Sequence, residues 1–539
     1  MSLWNSEDHK LDSVPGTGLL SSRANQVTTD EARELKRGTG KYSHIVLIPQ
    51  PSDDPRDPLS WPRWKKEACF WTLMFLSALA DSLALLPTSG YFVLAKEFNV
   101  SVDEVASSFS TCFAGTAVFT LLQIPIGVKY GHRMIYLLST FVMLMSCLWT
   151  ALSTNMTSIR ASRIFQGSGM AATRCFVAST IEHLFLGSLI NSYVIQLLSW
   201  RLGFWFVSIV CELSFFGVFF LVPETTYHRP ASPIHSMSTK LQQSASDKDC
   251  IKKICWSPTP SDHVDPNASS PNPPTFVSQL KIYNGTFSNE SIWKMFLRPF
   301  PFILSPVTWF TLFTYIISTE CLGFVVACSS TIFSVTYGFN ADQIGLTNIG
   351  SIIGMFLAMV IIGPLNDWWI VWMSRRNRGI YEPEYRLVFT FGMVIGGFGY
   401  VGWAIGNDHH MPWIGAVACL SIAYFSIIIT GAMRAAYVID VHGANASHVL
   451  TLTEFALNAI AYGSTFFANG LVLSAGVRRT LLALGACQIV CTLACVPMYV
   501  FGKRAGSFIA RHPRLFHGDL PTSDVQAQRA ASTGPDPKC

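Results

Sequence analysis

Pro125-Ile-Gly-Val-Lys-Tyr-Gly-His-Arg133 closes an apolar run that spans residues 105–127. One helix needs about 20 apolar residues to cross a hydrocarbon core of about 30 Å. The stretch therefore reads as a membrane helix whose exit carries small residues and then charge. Gly363-Pro-Leu-Asn-Asp367 closes a second run, 343–364, in the same way. Matched exits at corresponding places are what a membrane protein built from two repeated halves shows.

Runs of similar length lie on either side. The first series is 68–93, 105–127, 134–153, 160–184, 186–200 and 203–222. A polar gap over 223–300 follows, with clusters such as Ser269-Ser-Pro-Asn-Pro-Pro274. The second series is 303–330, 343–364, 387–406, 413–438, 449–474 and 480–501. This predicts an all-α polytopic membrane protein with two six-helix halves. The divisions are a disordered cytosolic arm at 1–66, a first transmembrane half at 67–222, a cytosolic central loop at 223–300, a second half at 301–502 and a cytosolic tail at 503–539.

Composition agrees. Only 13% of the 539 residues are charged and 50% are hydrophobic, whereas soluble chains carry about 25% charged residues. A soluble multidomain enzyme lacks enough charge here to cover its domains. Net charge is +5, with no concentrated basic face for nucleic acid. No P-loop, HExxH or GxSxG pattern occurs, which argues against an ATP-driven pump and a hydrolase. No cofactor is expected. Most of the 14 cysteines sit in apolar runs, where Cys behaves as a small buried hydrophobe. Cys487, Cys491 and Cys495 share a helical face without the closed ligand shell that a metal needs.

Lys and Arg in short loops set orientation. Lys129 and Arg133 follow run 2. Arg375, Arg376, Arg378 and Arg386 follow run 8. Lys503, Arg504, Arg511 and Arg514 open the tail. Placing both termini inside puts nearly all of these inside. Lys96, Arg201 and Arg478-Arg479 are the outer exceptions. The sequons at Asn99 and Asn155 then face out, as glycosylation candidates. A multi-pass protein of the cell membrane is expected, with the vacuolar membrane as the alternative.

Runs 4 and 5 share 161–199, just short of two crossings and a turn. Helix 5 is expected to be shortened or distorted, with a tight turn near Gly187. The alternative is a chain lacking loop 4–5 and part of helix 5.

Charge within an apolar run is expensive, so it marks functional candidates. Asp81, Arg163, Glu320, Arg434 and Glu454 are such charges. A carboxylate in low dielectric holds its proton more tightly and can exchange it near neutral pH. Each charge also has a purely structural reading, as half of a buried pair.

The chain resembles the major facilitator superfamily over about residues 45–510, and looks most like its fungal drug:proton antiporter branch with a long central loop. The resemblance rests on Leu47-Ile-Pro-Gln-Pro51, Asp54-Pro-Arg-Asp-Pro-Leu-Ser-Trp-Pro62, Lys129-Tyr-Gly-His-Arg133, Arg163-Ile-Phe-Gln-Gly167, Ser199-Trp-Arg-Leu-Gly-Phe-Trp205 and Pro223-Glu-Thr-Thr-Tyr227. In the second half it rests on Gly363-Pro-Leu-Asn-Asp367, Tyr381-Glu-Pro-Glu-Tyr-Arg386 and Phe501-Gly-Lys-Arg504. It implies alternating access around a central cavity, driven by protons. It implies that Arg163, with Gln166 beside it, takes part in coupling. It also implies that Lys129, Gly131 and Arg133 stabilise one gate, as Gly363 and Asp367 do in the other half. Two positions depart from the loop 2–3 signature: Val128 stands where an Asp is usual, and His132 where a basic residue is usual. Leu186-Gly-Ser-Leu-Ile-Asn-Ser-Tyr193 stands where helix 5 usually carries Gly-Pro-Gly-Gly.

The expected function is proton-coupled export of small organic molecules, drugs or secondary metabolites, with protons and the lipid bilayer as partners. Uptake of a nitrogenous or cationic nutrient, drawn to Asp81 and Glu320, is the first alternative. A transport-impaired product is the second.

Overall fold

A computed structural model describes residues 18–19, 57–176, 200–226 and 280–516, except 284, 289 and 378. Its first half contains α1 (Arg63–Leu85), α2 (Tyr91–Phe98), α3 (Val102–Phe109), α4 (Thr111–Tyr130), α5 (His132–Leu152), α6 (Met156–Phe176) and α7 (Trp200–Leu221). A short α8 (Ile292–Leu297) leads into α9 (Pro306–Tyr337), α10 (Ala341–Arg376), α11 (Met393–Asp408) and α12 (Trp413–His442). The chain ends in α13 (Ala446–Ser464), α14 (Ala468–Ala475), α15 (Val477–Thr492), α16 (Cys495–Arg511) and α17 (Pro513–Phe516).

Among the described residues, nine spans are long and apolar enough to cross a membrane, or ten if the bent pair α13–α14 is one span. They cover every predicted run except 4 and 5. The described part of run 4, up to Phe176, forms a helix, α6, whose Arg, Gln and Ser content makes it too polar to count by hydropathy alone. Run 5 and the expected turn at Gly187 lie outside the described residues, as do most of the central loop and the tail beyond Phe516.

Several boundaries need correction. The Gly363–Asp367 motif does not end its helix, because α10 continues to Arg376 and carries Pro364 inside it. An Asn340–Gln343 capping box starts that helix, satisfying N–H groups that would otherwise be orphaned. Run 1 is interrupted after Leu85 and resumes as α2. Run 11 bends by 51° at residues 465–467. Among the described residues the fold is helical apart from one two-residue antiparallel pairing, in which Gly18 and Leu19 of the arm meet Tyr381 and Ile380.

Small residues bring α4 and α6 into close contact. A Cβ on Gly115 would stand 2.2 Å from the Ile164 carbonyl oxygen, and one on Gly167 would stand 1.9 Å from that of Cys112. Thr116 Oγ1 donates to Gly167 O at 3.1 Å across the same seam. Small-residue seams of this kind replace the hydrophobic driving force that helices lack in lipid. The apolar core divides into clusters within each half. Two clusters reach across the halves: Leu85 of α1 packs against the second-half core, and Leu121 of α4 packs with Phe302, Val449, Leu452 and Phe516.

Two of the basic residues that the orientation rule places outside, Arg201 and Arg478, are matched by acids. Arg201 lies 3.9 Å from Glu97, and Arg478 lies 2.7 Å from Asp408. These exposed pairs add little stability, but they offset positive charge on the face that the orientation rule leaves poor in it.

The seam predicts a contrast. Gly167→Ala must force α4 and α6 apart and should cost about 1–3 kcal/mol, the usual range for overpacking. Gly363→Ala meets nothing within 4 Å and should leave stability level or raise it by up to about 1 kcal/mol through helix propensity. Thermal unfolding of the two variants in detergent would check this; equal melting shifts would refute the seam.

Candidate functional site

Arg163 is fully buried on α6. A guanidinium has five N–H donors, and here each finds an acceptor. Nε donates to Phe109 O at 2.9 Å. Nη1 donates to Leu83 O at 3.1 Å and to Gln166 Oε1. Nη2 donates to Ala84 O at 3.1 Å and to Cys112 Sγ at 3.6 Å. The three carbonyls sit at the ends of α1 and α3, where the helical ladder runs out. Carbonyls at such ends lack intrahelical partners and are costly to leave bare in lipid. Arg163 thus holds two helix ends in place from a third helix. Gln166 donates onward to Cys147 Sγ at 2.9 Å on α5.

Asp81 is buried near the C-terminal end of α1, four residues before Leu85. Glu320 lies mid-way along α9 and accepts a 3.5 Å hydrogen bond from Ser464 Oγ, just before the bend in run 11.

Three helices of the second half build a polar group around Tyr315. Its hydroxyl donates to Glu454 Oε1 at 2.9 Å. The Arg434 guanidinium lies 3.6 Å from the ring centroid, within cation–π range. Tyr315 belongs to α9, Arg434 to α12 and Glu454 to α13, and all three are buried. Sequence reading identified Arg434 and Glu454 but not that they share a neighbour. Tyr315 was missed because one Tyr in an apolar run carries no signal of its own.

The loop 2–3 motif is completed by a residue from elsewhere. Gly131 has φ +94°, and a Cβ there would stand 2.3 Å from Glu224 Oε2. Glu224 Oε1 accepts from His132 N at 3.1 Å and from Thr226 N at 3.0 Å. It therefore caps the start of α5, where a carboxylate also suits the helix dipole. Arg133 donates to Val222 O, to Phe219 O at 2.8 Å and to Leu280 O at 3.4 Å. Lys129 Nζ donates to Glu290 O at 3.2 Å, and Phe287 N donates to Lys129 O at 2.8 Å. These bonds strap the segment before α9 onto the first half.

The second half is arranged differently. Gly363 and Asp367 are exposed, and Asp367 accepts only a long 3.5 Å contact from its neighbour Asn366. The tight network lies instead in Tyr381–Arg386. Arg386 Nε donates to Asp440 Oδ2 at 2.8 Å, and the Tyr381 hydroxyl donates to the same oxygen. Lys503 Nζ donates to the buried Glu382 at 2.6 Å. Asp440 therefore anchors a loop. Asn99 and Asn155 are both exposed; Asn155 Oδ1 accepts from Ser158 N at 2.8 Å at the start of α6.

Among the described residues no cluster of three or more His, Cys, Asp or Glu side chains is arranged to hold a metal. The site is built for ionic and hydrogen-bonding contact within a membrane bundle.

Comparison with known proteins agrees with this architecture. The family model described as Major Facilitator Superfamily matches residues 183–439. Protein HOL1 of Saccharomyces cerevisiae is 23% identical, over 94% of this chain and 97% of its own length. The multidrug transporter TPO3 of Candida glabrata is 22% identical, over 89% of this chain and 74% of its own. The efflux pump radE of Floropilus chiversii is 23% identical, over 86% and 84%. Among solved structures, a POT family transporter in complex with a thioalcohol-conjugated peptide shares the fold at a TM-score of 0.53, with 12% identity, over 84% of this chain and 98% of that one. These matches make the chain similar to transporters of the major facilitator superfamily, and its long apolar helices make it a multi-pass membrane protein.

Proposed function

We propose that the protein exports small organic molecules, drugs or secondary metabolites, in exchange for protons. The observation that carries the proposal is the buried Tyr315–Arg434–Glu454 group. A carboxylate held by a phenol next to a guanidinium can change protonation without becoming an unpaired charge in lipid. Proton loading on Glu454 weakens its attraction to Arg434 and loosens α13 relative to α9 and α12. Asp81 supplies a second buried carboxylate in the other half. Efflux is favoured over uptake because relatives described as a multidrug transporter and an efflux pump match most of the chain.

Uptake of a cationic nutrient remains the second reading. It is favoured by the distribution of buried charge: Arg163 is saturated by carbonyls and neighbours, while Asp81, Glu320 and Glu454 offer negative charge to a cation. Growth separates the two. Deleting an exporter sensitises cells to toxic amphiphiles; deleting a permease removes growth on a nitrogen source.

Arg163 serves in this reading as a positioning residue that fixes α1 and α3. Lys129, Gly131 and Arg133, with Glu224, close the basic face of the first half. Gly363 and Asp367 are assigned to the same role in the second half by resemblance alone. Asn99 and Asn155 are proposed outer glycan sites, and the cell membrane is the proposed location.

Two sets of variants test this. Glu454→Gln and Asp81→Asn keep size and remove charge. Each should reduce proton-driven efflux of ethidium from vesicles by about tenfold or more, the scale of one lost charge-assisted interaction, and flatten its pH dependence. An unchanged pH profile in both would exclude these carboxylates from coupling. Arg163→Lys keeps the charge but has three donors instead of five. It should lower the melting temperature and activity together, because a carbonyl left bare costs about 1–3 kcal/mol. Lost transport at unchanged melting temperature would mark Arg163 as a coupling group instead.

A further inference from the structure

Asp103 makes a contact that local sequence does not foreshadow. It stands in the first turn of α3, where an acid suits the helix dipole and Ser101 already caps the helix by accepting from Glu104 N at 3.1 Å. Its carboxylate nevertheless points across to the other half. Oδ1 accepts from Asn469 N at 3.0 Å, and Oδ2 accepts from Gly470 N at 2.9 Å. These are N–H groups in the first turn of α14, exposed because run 11 breaks at residues 465–467.

Three further features hold the same turn. Asn469 is almost fully buried, and its Oδ1 accepts from Thr331 Oγ1 of α9 at 2.8 Å. A Cβ on Gly470 would stand 3.0 Å from Asp103 Oδ2, so the glycine lets the carboxylate approach. Cys328, one turn before Thr331 on α9, is fully buried.

We propose that Asp103 and the first turn of α14 form a latch between the two halves, on the face opposite Lys129 and Arg133. While the carboxylate spans the halves, the cavity is closed on that face. Opening exchanges two charge-assisted hydrogen bonds for water, which can reach the freed N–H groups only from that side. The latch rests on the alternating-access reading above and on the orientation that makes its face the outer one.

The test uses native Cys328 as reporter, in whole cells treated with a membrane-impermeant maleimide and read by mass spectrometry. Asp103→Ala removes both acceptors. Labelling of Cys328 should accelerate by about tenfold or more, as expected when two charge-assisted bonds holding a two-state element are lost. An unchanged rate, with the variant at the surface in normal amount, overturns the latch. Arg160→Gln removes the exposed pair with Glu104 and the 2.8 Å bond to Ser108 Oγ, both within the first half, and should leave labelling unaltered; equal acceleration there would also overturn it.

A second measurement does not depend on tolerance of alanine. The pair Asp103→Cys and Gly470→Cys should cross-link under mild oxidation, suppress Cys328 labelling and release it on reduction. Failure to cross-link overturns the contact. A reporter at His409→Cys, in the exposed turn between α11 and α12, fixes the side. Labelling in intact cells supports the orientation. Labelling only after permeabilisation overturns the orientation separately, and the Cys328 comparison is then made on inside-out vesicles. None of these readouts requires a transported substrate, so a latch that fails is distinguishable from a transport assignment that fails.

Discussion

Backbone polar groups inside a bilayer have no water to turn to, so each interruption of a membrane helix must be satisfied by protein. This constraint organises the molecule. Run 1 breaks after Leu85, run 2 at Ser110 and run 11 at residues 465–467. Breaks after α1 and α3 leave carbonyls, and a cation meets them: Arg163 donates to Leu83, Ala84 and Phe109. The break before α14 leaves N–H groups, and an anion meets them: Asp103 accepts from Asn469 and Gly470. Each charge has the sign that the helix dipole calls for at that end.

The two caps differ in reach. Arg163 works within the first half and makes α1, α3 and α6 one rigid unit. Asp103 works between halves and joins parts that the proposed alternating access would separate. A fully saturated guanidinium suits a permanent joint. A carboxylate facing two backbone N–H groups at a helix start suits a joint that opens, because those groups can be rehydrated from one face.

The basic faces of the halves show how a repeat diverges. In the first half, Gly131 and Glu224 meet so closely that any side chain at 131 would displace the carboxylate. In the second half the matching Gly363 lies in open space within a continuous helix. There the work passes to Tyr381, Glu382 and Arg386, which tie the loop to Asp440 and Lys503. The motifs are similar as strings, but their neighbours have changed.

Much of the architecture was legible in the chain alone. The low charge and the spacing of apolar runs established an all-helical polytopic membrane protein, because partitioning into lipid depends on composition over windows of about 20 residues. Candidate charges such as Arg163, Arg434 and Glu454 were visible for the same reason, since burying charge in lipid is costly. What the tertiary structure decided was partnership. Whether Arg163 faces a carboxylate or carbonyls, whether Glu454 meets Tyr315, and whether Asp103 serves its own helix or another half are contacts between residues 54 to 367 positions apart. Helix packing sets them, and helical periodicity along one run holds no record of the run it will meet.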